Sequence, residues 1–238
     1  MTKKAKIITI ISSMTALIVT IALIFGLVVI PEINKQKRRE EIMRNAKSYY
    51  DQKVALFEEE NKTLTDVDIA FIGDSLTDGY DTKRFFSQYK TANRGIGGDT
   101  TFGVEKRLKV SVYDISPKVV TLLIGINNIN TMFENYESIL QQLKENLPNS
   151  KIVLLSLTAM TSYWAYNNEK AILANQKIKV FAKEYGFEFV DLFTPLCNPE
   201  TNELYEEYTI DGGHFTEQGY QVITNTLTPV FERLLSTS

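Results

Sequence analysis

The chain has 238 residues, of which 44% are apolar and 23% are charged, and its formal net charge is −3 at pH 7. This apolar content excludes an intrinsically disordered chain, and the small negative charge argues against nucleic acid as a partner. The single cysteine, Cys197, excludes an internal disulfide and a cysteine metal cluster, and the single histidine leaves no zinc site. The length suits one domain with an appendage, and no cofactor is indicated.

The N-terminus predicts a membrane anchor. After a tail of residues 1–6 that contains three lysines, residues 7–30 carry no charged side chain. As a helix this segment would be about 36 Å long, enough to cross a hydrocarbon core of about 30 Å. A cleaved signal peptide would have a shorter apolar region and a small-x-small site, which residues 28–32 lack. We therefore expect residues 7–30 to form an uncleaved transmembrane signal anchor.

The orientation of this anchor is not fixed by charge, because lysine and arginine residues flank it on both sides. We favour a single-pass protein of the cell membrane with a short cytoplasmic N-terminus and an extracellular folded domain.

Residues 31–65 predict an amphipathic juxtamembrane helix. Its apolar side chains recur three or four residues apart, at Ile42, Ala46, Tyr49 or Tyr50, Val54 and Phe57. A helix that binds a partner protein is one interpretation. The narrow apolar stripe favours the other, a stalk that packs on its own domain.

Residues 66–238 predict one α/β domain. Apolar runs typical of buried strands occupy residues 68–72, 90–93, 119–124, 152–157 and 187–192, and helical patterns separate them, around residues 104–112, 136–147, 169–185 and 216–235. Pro229 predicts a kink or a break in the last helix. Continuous apolar strands that alternate with helices indicate a parallel sheet covered on both faces.

Polar residues follow three of these strands. Ser75, Gly98 and Asn127 each come just after the end of a predicted strand. Because ligands of such sheets bind beyond the carboxyl ends of the strands, we expect these three residues to meet at one edge.

A serine hydroxyl is a weak nucleophile that needs a base and a group to orient that base. His214 is the only histidine of the chain, and it lies three residues after Asp211, across two glycines that permit a tight turn. This spacing allows the carboxylate to contact one ring nitrogen while the other faces a serine. The Asn127 amide and the N–H groups of Gly98 and Ser75 are candidate donors to an oxyanion.

Each of these residues also has an ordinary interpretation. Ser75 suits a helix cap, Asn127 a turn, Gly98 a flexible loop, and His214 a surface position. Their order along the chain and their common position at strand ends favour a catalytic site.

Four sequence blocks strengthen this interpretation, at residues 71–77, 93–100, 125–128 and 211–214. On these blocks the chain resembles the SGNH (GDSL) hydrolase superfamily over residues 67–235, and the second block is similar to the branch of platelet-activating-factor acetylhydrolase-like and lysophospholipase-like esterases. The third block departs from the family pattern, which has aspartate where this chain has Asn128. An amide at this position can still accept a backbone hydrogen bond.

The resemblance implies a flavodoxin-like three-layer α/β/α sandwich with a five-stranded parallel sheet in the order 2-1-3-4-5. It implies Ser75 as the nucleophile, His214 as the base and Asp211 as the orienting acid. It also implies Ser75, Gly98 and Asn127 as the oxyanion donors, without a metal or an organic cofactor.

Aromatic residues follow the fourth predicted strand. Met160, Tyr163 and Trp164, with Tyr166, are candidates for the wall of an acyl or sugar pocket, although aromatic residues in such a loop also serve to pack it on the domain.

These observations predict a membrane-anchored serine esterase that acts on cell-surface glycan O-acetyl groups, lysophospholipids or short acyl lipids. Two alternatives remain at this point: an O-acyltransferase that uses the same triad, and an inactive membrane-tethered binding module. The oligomeric state is not indicated.

Overall fold

The computed structural model describes residues 2–4, 7, 14–15, 17, 23 and 25–236. Most of the predicted anchor at residues 7–30 lies outside these residues and stays a prediction. Among the residues that are described, no helix is long and apolar enough to span a membrane.

Two compact units make up the chain, Met1–Ser48 and Tyr49–Ser238. In the first unit, a π-helical turn, Phe25–Val29, leads into helix α1, Ile30–Asn61. This helix continues into the second unit from Tyr49 onward, and its side chains from Ile30 to Ser48 are exposed. The predicted juxtamembrane helix is therefore helical. Its apolar stripe packs only near its end, where Tyr50, Val54 and Phe57 belong to the second unit.

A parallel sheet of five strands forms the centre of the second unit. The strands run in the order β2-β1-β3-β4-β5, as predicted, and are listed here in chain order: β1 Ile69–Gly73, β2 Thr91–Gly95, β3 Val119–Leu123, β4 Lys151–Leu155 and β5 Glu188–Val190. β1 and β3 are buried throughout because helices cover both faces of the sheet. In the register, Gly73 of β1 lies between Gly95 of β2 and Leu123 of β3, so the carboxyl ends of these strands are level.

The helices form a layer on each side of the sheet, which gives the predicted three-layer sandwich. They are α2 Ser75–Asp78, α3 Thr82–Phe85, α4 Thr101–Leu108, α5 Tyr136–Asn146, α6 Asn168–Tyr185, α7 Phe193–Leu196 and α8 Glu217–Ser236. α4, α5 and α6 pack side by side in one layer. In the other, α8 packs on the connection between β1 and β2 through the ring pairs Tyr80–Tyr220 and Phe86–Phe231, whose centroids are 4.7 and 5.2 Å apart.

Helix α8 continues through Pro229, so the break that proline predicts does not occur. Proline cannot donate to the carbonyl of Asn225, but both residues lie on the exposed side of the helix, where water can reach that carbonyl. The buried side of α8, which includes Leu227 and Phe231, keeps the helix on the core.

A small antiparallel hairpin, β6 Cys197–Asn198 with β7 Glu203–Leu204, lies between α7 and α8. It includes the buried Cys197. The Leu204 N–H donates to the Met160 carbonyl at 3.3 Å, so the hairpin supports the loop that follows β4.

Candidate active site

Ser75 lies where the chain turns from β1 into α2. The Asp74 carboxylate caps this short helix by accepting the Leu76 N–H at 3.1 Å, which fixes Ser75 as the first helical residue. Asp74 is buried, and this burial raises its pKa to about 7. Ser75 itself is only half-buried, so its hydroxyl is accessible from the carboxyl edge of the sheet.

His214 and Asp211 complete a chain of hydrogen bonds from Ser75. His214 Nε2 lies 2.9 Å from Ser75 Oγ, and His214 Nδ1 lies 2.7 Å from Asp211 Oδ2. The other carboxylate oxygen of Asp211 accepts the N–H groups of Gly213 and His214 at 3.0 and 2.8 Å. Partial burial alone would raise the pKa of Asp211, but the hydrogen bonds from the N–H and ring of His214 and the N–H of Gly213 outweigh it and hold the pKa at about 2.

The turn that carries Asp211 and His214 is closed by Thr209. The Thr209 hydroxyl donates to the His214 carbonyl at 2.7 Å and accepts the Gly212 N–H at 2.9 Å. Gly212 has a φ of +93°, and an added Cβ there would lie 2.6 Å from the Thr161 carbonyl oxygen. The turn therefore requires glycine at position 212, both for its conformation and for the close approach of residue 161.

The predicted oxyanion donors follow β2 and β3. Asn127 Nδ2 donates to the Asp99 carbonyl at 2.9 Å, so the Asn127 amide lies against the loop that carries Gly98 and retains a second N–H. Gly98 is exposed, its φ is +75°, and no heavy atom lies within 4 Å of an added Cβ. The structure thus brings the Gly98 loop and Asn127 together, as the strand ends predicted.

A buried arginine, Arg107, binds the loop that carries Gly98. Arg107 Nε donates to Asp99 Oδ2 at 2.8 Å, and both side chains are almost fully buried, at 1% and 3% exposure. Its remaining donors contact the carbonyl of Arg94 at 2.8 Å, the Ser111 hydroxyl at 2.9 Å and the carbonyl of Gly73 at 3.0 Å. Sequence analysis missed Arg107. Its position three residues after Val104 and one before Leu108, on the apolar side of α4, was the available signal.

Asn128 binds the first residue of α4 through both atoms of its amide. Its Oδ1 accepts the Thr101 N–H at 3.3 Å, a backbone hydrogen bond of the kind that an amide here can accept, and its Nδ2 donates to Thr101 Oγ1 at 2.9 Å. The Thr101 hydroxyl must then donate, and it does so to Asn135 Oδ1 at 2.7 Å. The Asn135 amide in turn donates to Glu105 at 2.8 Å. The amide at position 128 therefore sets the direction of a chain of hydrogen bonds that joins the β3 loop to α4 and α5.

A cavity of about 530 Å³ opens beside Ser75, Asn127 and His214. Met160, Trp164 and Tyr166 are among the residues that line it. Tyr163 does not: it is 75% exposed and stacks edge-on against Trp164, because neighbouring residues of the 3₁₀ turn Ser162–Asn167 point in different directions. The sequence prediction for Tyr163 is therefore not what the structure shows. The lining also includes polar residues that sequence analysis did not select, among them Asn130, Thr158, Asn167 and Lys170.

Asn168, the first residue of α6, holds the backbone of Met160 in the cavity wall. The Asn168 side chain accepts the Met160 N–H at 2.9 Å and donates to the Met160 carbonyl at 2.7 Å, so it pairs with this backbone as a neighbouring strand would.

No cluster of three histidine, cysteine, aspartate or glutamate side chains suited to a metal ion occurs among the described residues.

We predict that Arg107→Met destabilises the fold by about 3–5 kcal/mol, because it leaves the Asp99 carboxylate buried without its counter-ion. The free energy of unfolding in urea at pH 7 is the measurement. Lys106→Met, one residue earlier on the exposed side of α4, is the matched control and should unfold at the wild-type urea concentration. Equal midpoints for the two variants would contradict the prediction.

Comparisons with known proteins identify the family of this chain. The model of the GDSL-like lipase/acylhydrolase family matches residues 71–222. The chain is 35% identical over 178 residues to the platelet-activating factor acetylhydrolase IB subunit alpha2 of Rattus norvegicus, covering 71% of this chain and 77% of that protein.

Solved structures show the same likeness. One from Streptococcus pneumonia, assigned as a platelet activating factor, superposes with a TM-score of 0.76 at 26% identity and covers 82% of this chain and 99% of its own. A GDSL-like lipase from Bacteroides thetaiotaomicron superposes with a TM-score of 0.64 at 26% identity, covering 79% and 98%. The chain therefore belongs to the GDSL-like lipase/acylhydrolase family and is an ester-hydrolysing enzyme.

Proposed function

We propose that the protein is a membrane-anchored serine esterase that hydrolyses acetyl or short acyl esters through an acyl-enzyme. The observation that carries this proposal is the continuous hydrogen-bonded chain from Ser75 through His214 to Asp211. A nucleophile, a base and a group that orients the base are the parts that acyl transfer by serine requires.

The protonation states follow from Asp211. Its pKa of about 2 keeps the carboxylate ionised at neutral pH, and an ionised carboxylate only accepts hydrogen bonds. The ring proton of His214 must then lie on Nδ1, which leaves Nε2 with the free electron pair that faces Ser75 Oγ. This tautomer is the one that can remove the hydroxyl proton.

In the proposed reaction, Ser75 Oγ attacks the ester carbonyl carbon while His214 Nε2 takes its proton. The oxyanion that forms receives hydrogen bonds from the Asn127 amide and the N–H groups of Gly98 and Ser75. The tetrahedral intermediate collapses, His214 gives its proton to the departing alcohol, and the acyl group stays on Ser75. Water then attacks this acyl-enzyme with His214 again as the base, which releases the acid and restores Ser75.

The substrate class rests on the cavity and on the relatives. A volume of about 530 Å³ lies within the range that holds a small organic ligand, and the wall combines Trp164 and Met160 with several amide side chains. An aromatic ring flanked by amides suits a sugar ring or a small lipid headgroup. Together with an acetylhydrolase among the relatives, this supports O-acetylated cell-surface glycans or short-chain lysophospholipid-type esters as substrates.

We predict that Ser75→Ala abolishes turnover of p-nitrophenyl acetate, with a loss of several orders of magnitude in kcat, because the acyl-enzyme can no longer form. An activated phosphonate should label the wild-type protein at Ser75 and leave the variant unlabelled, as mass spectrometry of the peptides would show. Ser87→Ala, at an exposed position, is the control and should keep both activity and labelling. An adduct on any other serine would refute the assignment.

We predict that Gly212→Ala lowers kcat/KM by about 100-fold, because a Cβ that close to the Thr161 carbonyl must displace the turn that holds Asp211 and His214. Gly186→Ala is the matched control. Gly186, at the end of α6 and outside the cavity lining, also has a positive φ of +73°, but no heavy atom lies within 4 Å of an added Cβ, so kcat/KM of this variant should stay close to wild type. Similar kinetics for the two variants would show that the turn tolerates the displacement.

We further propose that residues 7–30 anchor the protein in the cell membrane with the domain outside. Their uncharged sequence supports the anchor. We predict that the full chain sediments with membranes and resists extraction by high salt, and that protease added to intact cells removes the domain. Release of the protein by salt would refute the anchor, and protection of the domain in intact cells would refute the orientation.

A further inference from the structure

Asp78, the last residue of the helix that Ser75 begins, joins three parts of the second unit. Its Oδ1 accepts Lys53 Nζ at 2.8 Å, and its Oδ2 accepts the Tyr49 hydroxyl at 2.5 Å and the Gly97 N–H at 3.0 Å. Lys53 and Tyr49 belong to the end of α1, whereas Gly97 belongs to the loop after β2. One carboxylate therefore connects α1, the serine helix α2 and the loop that carries Gly98.

Gly98 is held from both of its neighbours. On one side the Gly97 N–H is bound to Asp78, and on the other the Asp99 carboxylate is bound to the buried Arg107. Backbone contact completes the link, since a Cβ on Gly95 would lie only 2.1 Å from the Asp78 nitrogen. The Asp78 carboxylate is thus one of the contacts that join the Gly98 loop to the helix of Ser75.

The partners of Asp78 are well placed to hold it. The Lys53 and Asp78 side chains are 20% and 16% exposed, so their ion pair is less screened by solvent than a surface pair. The hydrogen bond to Asp78, with burial as the second cause, raises the pKa of Tyr49 to about 12, so its hydroxyl stays a donor well above neutral pH.

An apolar cluster places α1 against the same loop independently of Asp78. Phe57 of α1 packs with Ile96, the residue before Gly97, and with Val110, and Tyr50 and Val54 lie at the edge of this cluster. The Tyr50 hydroxyl also donates to the Gly103 carbonyl at 2.9 Å. Loss of Lys53 or Tyr49 would therefore leave α1 docked and free only the Asp78 carboxylate.

We propose that Lys53 and Tyr49 are positioning residues of the esterase, which act through Asp78 to hold the Gly97–Gly98 loop at the distance from Ser75 that oxyanion binding requires. The proposal rests on the function proposed above for Gly98. Neither residue touches the substrate. The residues that precede the family domain are then part of its catalytic architecture, because α1 supplies two of the three groups that bind the Asp78 carboxylate and the Gly97 N–H is the third.

The test uses Lys53→Met, Tyr49→Phe and the double variant in the full chain. Methionine keeps most of the length of the Lys53 side chain but lacks its ammonium group, which binds Asp78 and lies 5.4 Å from the centre of the Phe57 ring. Phenylalanine keeps the Tyr49 ring and lacks only the hydroxyl that binds Asp78. We expect kcat for p-nitrophenyl acetate, expressed per phosphonate-titrated site, to fall about tenfold in each single variant and further in the double variant, with KM nearly unchanged. Removal of an entire oxyanion donor costs about 100- to 1,000-fold, which sets the upper limit. Lys53→Arg should restore most of the activity.

Glu58→Gln is the matched control on an exposed position of the same helix and should behave as wild type. Hydrogen exchange of the peptide that carries Gly97 and Gly98 should rise in the Lys53 and Tyr49 variants, and this measurement does not depend on turnover. An unchanged kcat per titrated site or unchanged exchange in that peptide would overturn the proposal, as would a loss explained by fewer titrated sites alone. A wild-type protein without esterase activity would instead contradict the proposed function, and the exchange measurement would still decide the role of Lys53 and Tyr49.

Discussion

The site depends on one buried ion pair, between Arg107 and Asp99. A guanidinium ion without partners would be costly to bury, and here its N–H groups find acceptors in the Asp99 carboxylate, the Ser111 hydroxyl and the carbonyls of Gly73 and Arg94. Both carbonyls belong to the ends of β1 and β2. The side chain that neutralises Asp99 therefore also fixes where both strands end, and with them the starting points of the serine helix and the Gly98 loop.

The directional contacts of Arg107 give a reason for a buried ion pair at a place where apolar side chains would give comparable stability. Apolar side chains pack without direction, whereas a planar guanidinium fixes the angle between each of its partners. Desolvation opposes the charge on Asp99 and raises its pKa, so the carboxylate is stable there only beside Arg107. The Asp99 carbonyl accepts a hydrogen bond from Asn127 Nδ2 at 2.9 Å, and this contact positions the end of β3 relative to β1 and β2.

The sequence was sufficient for the parts of the molecule that local pattern determines. The parallel sheet, its strand ends and the turn from Asp211 to His214 follow from continuous apolar runs and short spacings, and each lies within one or two residues of its prediction. Contacts between residues distant in sequence were not predictable in this way. Nothing in the pattern shows that Asn168 would pair with Met160, that Phe57 would pack on Ile96, or that Tyr163 would point away from the cavity.

The two halves of the site, the Asp211–His214 turn and the region of Gly98 and Asn127, differ in how far local sequence determines them. Asp211 and His214 sit in a turn closed by its own backbone and remain nearly half exposed, so this acid–base half depends mostly on a few consecutive residues. The oxyanion half that we propose is assembled from three strand ends, a buried arginine and a helix that precedes the family domain. Because its geometry is set by long-range contacts, substitutions far from Ser75 in sequence should affect transition-state stabilisation more readily than proton transfer.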